Sequence, residues 1–302
     1  DQLAGLGVEE GAGRFEGVLG VREADAAGQL QLDLYGEVID AVTLRVGRGG
    51  RLDRETQRML RGFGEYVCRS WTRPDDGIWE LRGDRQHHTH SRALCWVALD
   101  RLLTLHAGGH LRLRDVDAVA RTRDGIRAAI ETGAWNADLQ SYVATAGGTG
   151  VDAALLQLAR CGFEAPSSPR MRATWARIQR ELGAGRGLLY RSRAPPLAGE
   201  GAFGLCAFWA AEYLALGGGA LEEATKAFDA LLQFRNDIGL YAEEIDPRTG
   251  RALGNFPQAF THIGLINAAL TIEARREREE AKTAGPWALR GPGAETGAQP
   301  WT

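Results

Sequence analysis

Apolar residues recur at helical spacing along most of this chain. From residue 29, Leu30, Leu34, Val38 and Val42 share one face at close to a 3.6-residue period, and Leu32, Tyr35 and Ile39 form a second. A helix apolar on two sides is expected to be buried rather than laid on a surface. A second helix is predicted at 52–71, starting near Asp53 and carrying Leu60, Phe63, Tyr66 and Val67. Further helices fit 91–106, where Thr89 or Ser91 can cap the first turn, then 114–131 and 151–161. The remaining ones fit 168–182 after the Pro166/Pro169 turn, 201–216, 220–235 and 258–280. No stretch reads as a convincing strand. The period supports an all-α chain with its helices in pairs. Long loops at 73–90, 133–150, 183–200 and 236–257 alternate with short connections, and they hold much of the tryptophan, tyrosine and carboxylate. A ring of paired helices with a functional mouth on one side would produce that pattern. Residues 1–28 read as an irregular entry segment, 29–280 as the helical domain and 281–302 as a disordered tail.

Composition narrows the function classes. Of 302 residues, 44% are hydrophobic and 25% charged, as in ordinary soluble globular proteins. The net charge of −3 offers no basic surface for nucleic acid, and no apolar run approaches the ~20 residues of a membrane span. Neither nucleic acid nor membrane is expected as a partner. The chain opens on Asp1 without a charged-then-apolar signal segment, so its true N-terminus is expected to lie upstream. Cys68, Cys95, Cys161 and Cys206 form no CxxC pair and sit among apolar residues. They read as buried free thiols, which points to a reducing, cytoplasmic compartment.

The candidate chemistry lies in two acidic loops. Residues 73–96 read RPDDGIWELRGDRQHHTHSRALCW, and residues 236–262 read NDIGLYAEEIDPRTGRALGNFPQAFTH. Each presents a carboxylate near an aromatic residue and leads into a helix. Two carboxyls facing one cavity are what glycoside hydrolysis requires, one to protonate the leaving oxygen and one to activate water. At Glu80 the Trp79 indole is expected to exclude water and raise the carboxyl pKa; the alternative is an exposed loop glutamate. Glu243 and Glu244 are adjacent, so they point different ways and one is expected to reach the cavity. Trp79, Trp135, Tyr190 and Tyr241 are candidates to stack on a sugar ring, although loop aromatics also pin loops to a core, and about half are expected to meet ligand. His87, His88 and His90 have no acidic or cysteine partner at a suitable helical spacing, so no metal site is expected. Asp75, Asp76 and Asp246 read as loop-capping carboxylates. Asn255, Pro257 and Gln258 are expected to shape the turn into the last helix.

These two loops resemble the signature loops of glycoside hydrolase family 15, which comprises glucoamylases, glucodextranases and bacterial trehalases. GIWE followed by THSRALCWVALDR is similar to the family's general-acid loop and the helix after it, and AEEIDPRTGRALGNFPQAF to its general-base loop. QLQLDLYGEVIDA (29–41) and GEGAFGLCAFW (199–209) match two further segments, so the resemblance runs through residues 14–273. It implies an (α/α)6 barrel, the six-hairpin toroid, here lacking its first two or three helices. It implies Glu80 as general acid, Glu243 as general base and Glu244 as a supporting carboxylate. It also implies inversion, with the two catalytic carboxyls roughly 6.5–9.5 Å apart. Arg191 in LLYRSR resembles the arginine that hydrogen-bonds the sugar at the cleavage subsite, where a guanidinium fork can hold two hydroxyls.

The implied activity is exo-acting hydrolysis of an α-glucoside to β-glucose. Malto-oligosaccharides or starch come first as substrates, with trehalose and dextran behind. The mechanism needs no cofactor, although a phosphate and magnesium requirement stays open for a trehalase. Departures are His88, where the family usually has phenylalanine, and GVREADAAG (20–28), which lacks the usual GN form. The family's upstream β-sandwich and its Trp-Leu-Arg-Asp motif are also missing. A barrel short of helices exposes apolar faces, which an upstream segment or another chain would cover. The alternative is a non-catalytic carbohydrate-binding or assembly module derived from such an enzyme, or an inactive fragment. A terpene-type α/α cyclase would need more clustered aspartates than Asp75–Asp76.

Overall fold

Nine helices form among the residues that the computed structural model describes, namely 28–80, 83–193, 197 and 199–283. The entry segment expected at 1–28 lies outside them except for Gly28, and so does the expected tail beyond residue 283. The chain divides into two compact units. One takes residues up to Asn136 together with Val143–Thr149, and the other takes Ala137–Tyr142 and residues from Gly150 onward.

The first unit holds α1 (Asp33–Gly47), α2 (Arg54–Ser70), α3 (Thr89–Ala107) and α4 (Val116–Gly133), then the short strand β1 (Trp135–Asn136). Its centre is α3, which packs against the other three helices. The run Ala93–Leu99 has no charged position, and every one of its side chains is buried. A helix without a polar stripe has to sit inside. Local signals set the neighbouring starts: Asp53 accepts from Thr56 N, and Asp115 accepts from Ala118 N. The start of α3 differs from expectation. His88 is its N-cap and makes no side-chain cap bond. The Thr89 hydroxyl instead donates to the Val143 carbonyl at 2.6 Å, and Thr89 N donates to Ala144, tying the helix start to the 143–149 segment.

Helix α1 was expected to be buried on two sides and is buried on one. Leu32, Gly36, Ile39 and Val46 are covered, while Leu34 and Val38 are exposed. The contact with α3 is made through Gly36, where a β-carbon would lie 2.3 Å from the Leu94 carbonyl oxygen. So close a crossing commits that narrow face of α1 and leaves the Leu34/Val38 face outside it.

In the second unit, β2 (Ser141–Tyr142) is followed by a 3-10 turn at Ala153–Leu156, α5 (Gln157–Arg160) and α6 (Pro169–Leu182). Next come β3 (Gly183–Gly185), β4 (Leu188–Leu189) and β5 (Ala202–Phe203), then α7 (Gly204–Tyr213) and α8 (Leu221–Leu231). β6 (Glu244–Ile245), β7 (Ala252–Leu253) and α9 (Ala259–Thr283) complete it. Every residue of α7 is buried, and α8 and α9 pack around it. Gly217, at φ +115°, kinks the irregular turn Leu214–Gly218 that follows α7. The strands correct the expectation of none. They are two or three residues long, too short for an alternating pattern to register, and they pair antiparallel as β3–β4 and as β5–β6–β7 with β6 central. Helix α9 keeps Phe260, Ile263, Ile266 and Leu270 exposed, on the side away from buried Thr261, Ala268 and Ile272. Among the described residues no helix is long and apolar enough to cross a membrane.

One buried charge in this unit yields a stability prediction. Glu212 on α7 is 6% exposed, and its carboxylate lies 3.6 Å from the Arg160 guanidinium. Burial pushes its carboxyl above the ordinary range, and Arg160 only partly offsets this. The unfolded chain therefore ionises first, and the fold loses stability as pH rises from the unfolded value through the folded one. Glu212→Gln is expected to raise the melting temperature at pH 7 relative to wild type. The gain should vanish near pH 3, as differential scanning calorimetry at the two pH values would show.

Candidate active site

In the first unit, the acidic loop is stitched to the chain just before α1. Asp75 and Gln86 exchange both backbone hydrogen bonds, at 2.9 and 3.0 Å, which closes the loop. Leu32 N donates to Asp75 Oδ2 at 3.2 Å, and Leu30 N to Asp76 Oδ2 at 2.5 Å. Asp76 N donates back to the Leu30 carbonyl, and the Arg85 guanidinium reaches both Asp76 and the Gly28 carbonyl. The sequence suggested only that the two aspartates cap their own loop; they also bolt segment 30–32 onto it. Asp75 is 1% exposed, and burial pushes its carboxyl up against the opposing pull of the Ser91 hydroxyl and Leu32 N–H. Burial likewise pushes the His88 imidazole down, against Asp75 and Asp33, which favour its charged form. Its ring covers Gly77, at φ +67°, where a β-carbon would meet Cδ2 at 2.8 Å.

Glu80 follows at φ +52°, in the left-handed region that a residue with a β-carbon rarely adopts. Strain of this kind costs about 1–3 kcal/mol and gathers at functional sites. Gln31 Nε2 donates to Glu80 Oε1 at 2.9 Å. Trp79 is half-buried beside it, but Glu80 itself is exposed. The water-excluding indole enclosure expected from the WE pair is therefore not formed by the described residues. Its bonded partner instead is the amide of half-buried Gln31.

In the second unit, the β5–β6–β7 strands separate the two adjacent glutamates. Successive side chains on a strand leave opposite faces. Glu244, on β6, turns toward β5 and accepts from Gly201 N at 2.8 Å. Burial pushes its carboxyl up, and the Gly201 N–H works against that shift. Glu243 turns the other way. Its Oε2 accepts from Asn255 N at 3.0 Å and from Asn255 Nδ2 at 2.9 Å. Gly254, at φ +68°, makes room for this, since a β-carbon there would lie 2.8 Å from the same oxygen. Both bonds fall on Oε2, so Oε1 takes none from the described residues. Asn255, expected only to shape a turn, is the residue that holds Glu243.

The sugar-binding candidates divide. Tyr190 lines a cavity of about 300 Å3 with Glu200, Gly201, Asp246 and Leu253, and the Arg193 guanidinium lies 4.4 Å over its ring. Arg191 differs from expectation: Nε and Nη2 are bound to Glu200 at 2.7 and 2.6 Å, so that side of the fork is filled by a carboxylate rather than open to two sugar hydroxyls. Tyr241 is also corrected. At 2% exposure it sits in the core, edge-on to Phe208 and to His262, and it pins the acidic loop instead of lining a mouth. Trp79 and Trp135 are half-buried in the first unit. Asp246 caps its own loop, accepting from Arg248 N and the Thr249 hydroxyl, which hold its carboxyl below the usual range. Gln31, Glu200 and the donor role of Asn255 were missed. Gln31 stands in a stretch read for its apolar spacing and as a family segment, with no role given to its amide, and its partner is 49 residues away.

Helices packed around the largely buried α3 in one unit and around the wholly buried α7 in the other, with carboxylates on the loops between them, are the elements of a six-hairpin fold. Solved structures bear this out for the fold. A wild-type glycosidase superposes with a TM-score of 0.69 at 20% identity, over 81% of this chain and 67% of that one. A bacterial glucoamylase complexed with acarbose superposes with 0.65 at 16% identity, over 81% of this chain and 41% of that one. The family model for Glycosyl hydrolases family 15 matches residues 13–217 and 220–270, and the chain belongs to that family. Among its relatives, the trehalase of Mycolicibacterium smegmatis is 38% identical over 269 residues, which is 86% of this chain and 39% of that protein. The trehalase of Thermoplasma acidophilum is 32% identical over 271 residues, 86% of this chain and 45% of that protein. The chain thus spans less than half the length of these curated relatives.

Proposed function

We propose that this chain carries the acid and base of an inverting α-glucoside hydrolase, with trehalose as its first substrate. Motifs alone put malto-oligosaccharides ahead, and the trehalase relatives reverse that order. Glu80 protonates the glycosidic oxygen as the anomeric C–O bond breaks, and Glu243 removes a proton from the water that attacks the opposite face. Trehalose then yields one β-glucose and one glucose as the leaving group. The observation carrying this reading is that both carboxyls at the family's motif positions have one oxygen held by a dedicated amide, Gln31 for Glu80 and Asn255 for Glu243. In each, the second oxygen takes no hydrogen bond from the described residues and is open to a proton transfer. Glu244, turned onto Gly201, supports the loop. No cofactor enters these steps; a phosphate or magnesium requirement is a separate question of assay conditions. The exposed apolar faces of α1 and of α9 are read as seats for further helices, supplied by an adjoining segment or another chain.

The test is glucose release from trehalose, maltose, maltotetraose, soluble starch and dextran by the purified chain, with the anomer of fresh product followed by NMR. From trehalose the expected fresh products are β-glucose from the attacked ring and α-glucose as the leaving group in equal amounts. α-Glucose alone, with no β-anomer before mutarotation, overturns inversion. No release from any substrate by folded chain overturns enzymatic activity for this polypeptide alone and favours the binding-module reading.

A further inference from the structure

We propose that Gln31 is a positioning residue for proton donation: its amide fixes which oxygen of Glu80 carries the proton. The inference rests on the reading of Glu80 as general acid. A carboxylic acid has one proton, and the oxygen that accepts an N–H bond is its carbonyl-type oxygen. Gln31 Nε2 donates to Oε1 at 2.9 Å, so the proton is left on Oε2. When Oε2 gives that proton to the glycosidic oxygen, the C–O bonding pair goes to the departing oxygen, and Glu80 becomes a carboxylate that Gln31 still hydrogen-bonds.

The geometry favours a fixed donor over a chance surface contact. The residues on both sides of Gln31 are tied to the loop that bears Glu80, Leu30 through Asp76 and Leu32 through Asp75. Asp76 N closes a second bond onto Leu30. Three hydrogen bonds thus hold the backbone at 30–32 against a loop whose own residue 80 is confined to φ +52°. The amide and the carboxyl meet because both ends are held. Without such support, an exposed pair of this kind would lose most of its order to water.

The experiment compares Gln31→Met, which keeps the length but has no donor, with wild type and Glu80→Gln on two substrates. Trehalose has a poor leaving group that needs the proton. α-Glucosyl fluoride has a leaving group that needs little protonation. Gln31→Met is expected to lose roughly ten- to a hundredfold in kcat on trehalose, with KM little changed, and less than about twofold on the fluoride. Retained fluoride turnover also certifies the fold. An equal loss on both substrates marks a merely structural role and overturns the proposal, as does no loss on either. Glu80→Gln separates the two readings. If it keeps trehalose turnover, the acid assignment fails and this inference falls with it. If it loses trehalose turnover but Gln31→Met behaves as wild type, only the positioning role fails. A wild-type chain that turns over neither substrate overturns both.

Discussion

Glu243→Gln is expected to lower kcat on trehalose by about 10²- to 10⁴-fold with KM nearly unchanged, because a general base acts in the transition state and contributes little to substrate binding. The substitution keeps the size of the side chain, and the space above Gly254 that admits Oε2 also admits an amide. What is lost is the ability of the second oxygen to take a proton from water. Glu244→Gln is the matched control. Its carboxyl is turned onto Gly201 N on the other face of β6, so the same substitution there is expected to reduce kcat by less than about tenfold. Azide supplies a stricter check: in Glu243→Ala it can attack without giving up a proton. Restored turnover with β-glucosyl azide as product would assign the base to Glu243. Equal losses at the two positions, with no azide rescue at 243, would reject that assignment.

The parts of this molecule legible in the sequence are those encoded within one helical turn. The start of α2 follows from Asp53, which bonds an N–H three residues on, and that of α6 from the Pro166/Pro169 turn, where the structure adds a Ser168 cap of the same kind. The central places of α3 and α7 follow from apolar runs too continuous to leave a wet face. Thr89 looked like a cap by the same local rule, yet its hydroxyl found the Val143 carbonyl, 54 residues away. The acidic loops were legible as loops, but their internal order was not. Asp75 and Asp76 meet Leu32 and Leu30 across 43 and 46 residues. The split between Glu243 and Glu244 comes from a strand two residues long. Tyr241 shows the limit for aromatics: in a glycine-flanked loop its ring reads as available, and only Phe208 and His262 on either side reveal it as core. Motif positions name the groups that could react, whereas their donors and orientations come from contacts with no fixed spacing.

Two glycine-to-alanine substitutions in neighbouring helices are expected to change stability in opposite directions. At Gly62 on α2 nothing lies within 4 Å of an added β-carbon, so alanine there brings only its better helix propensity, about 0.5–1 kcal/mol. At Gly36 on α1 the same gain is available, but the new carbon would stand 2.3 Å from the Leu94 carbonyl oxygen and 2.7 Å from Leu94 Cβ. Neither atom can rotate away, so α1 and α3 have to part. Overpacking of this kind costs about 1–3 kcal/mol, which outweighs the propensity. With about 2–4 °C per kcal/mol for a chain of this size, Gly36→Ala is expected to lower the melting temperature by several degrees while Gly62→Ala raises it slightly. The consequence for the site follows from where α1 begins. Asp33 opens the helix two residues after Gln31, so a helix pushed off α3 pulls on the strap that carries the Gln31 amide. Gly36→Ala should therefore lose activity on trehalose beyond its loss on α-glucosyl fluoride, in the same sense as Gln31→Met. A melting temperature unchanged from wild type would show that the crossing yields more easily than its contact distances indicate. A lowered one with equal losses on both substrates would show that the strap at 30–32 is held by Asp75 and Asp76 independently of the helix behind it.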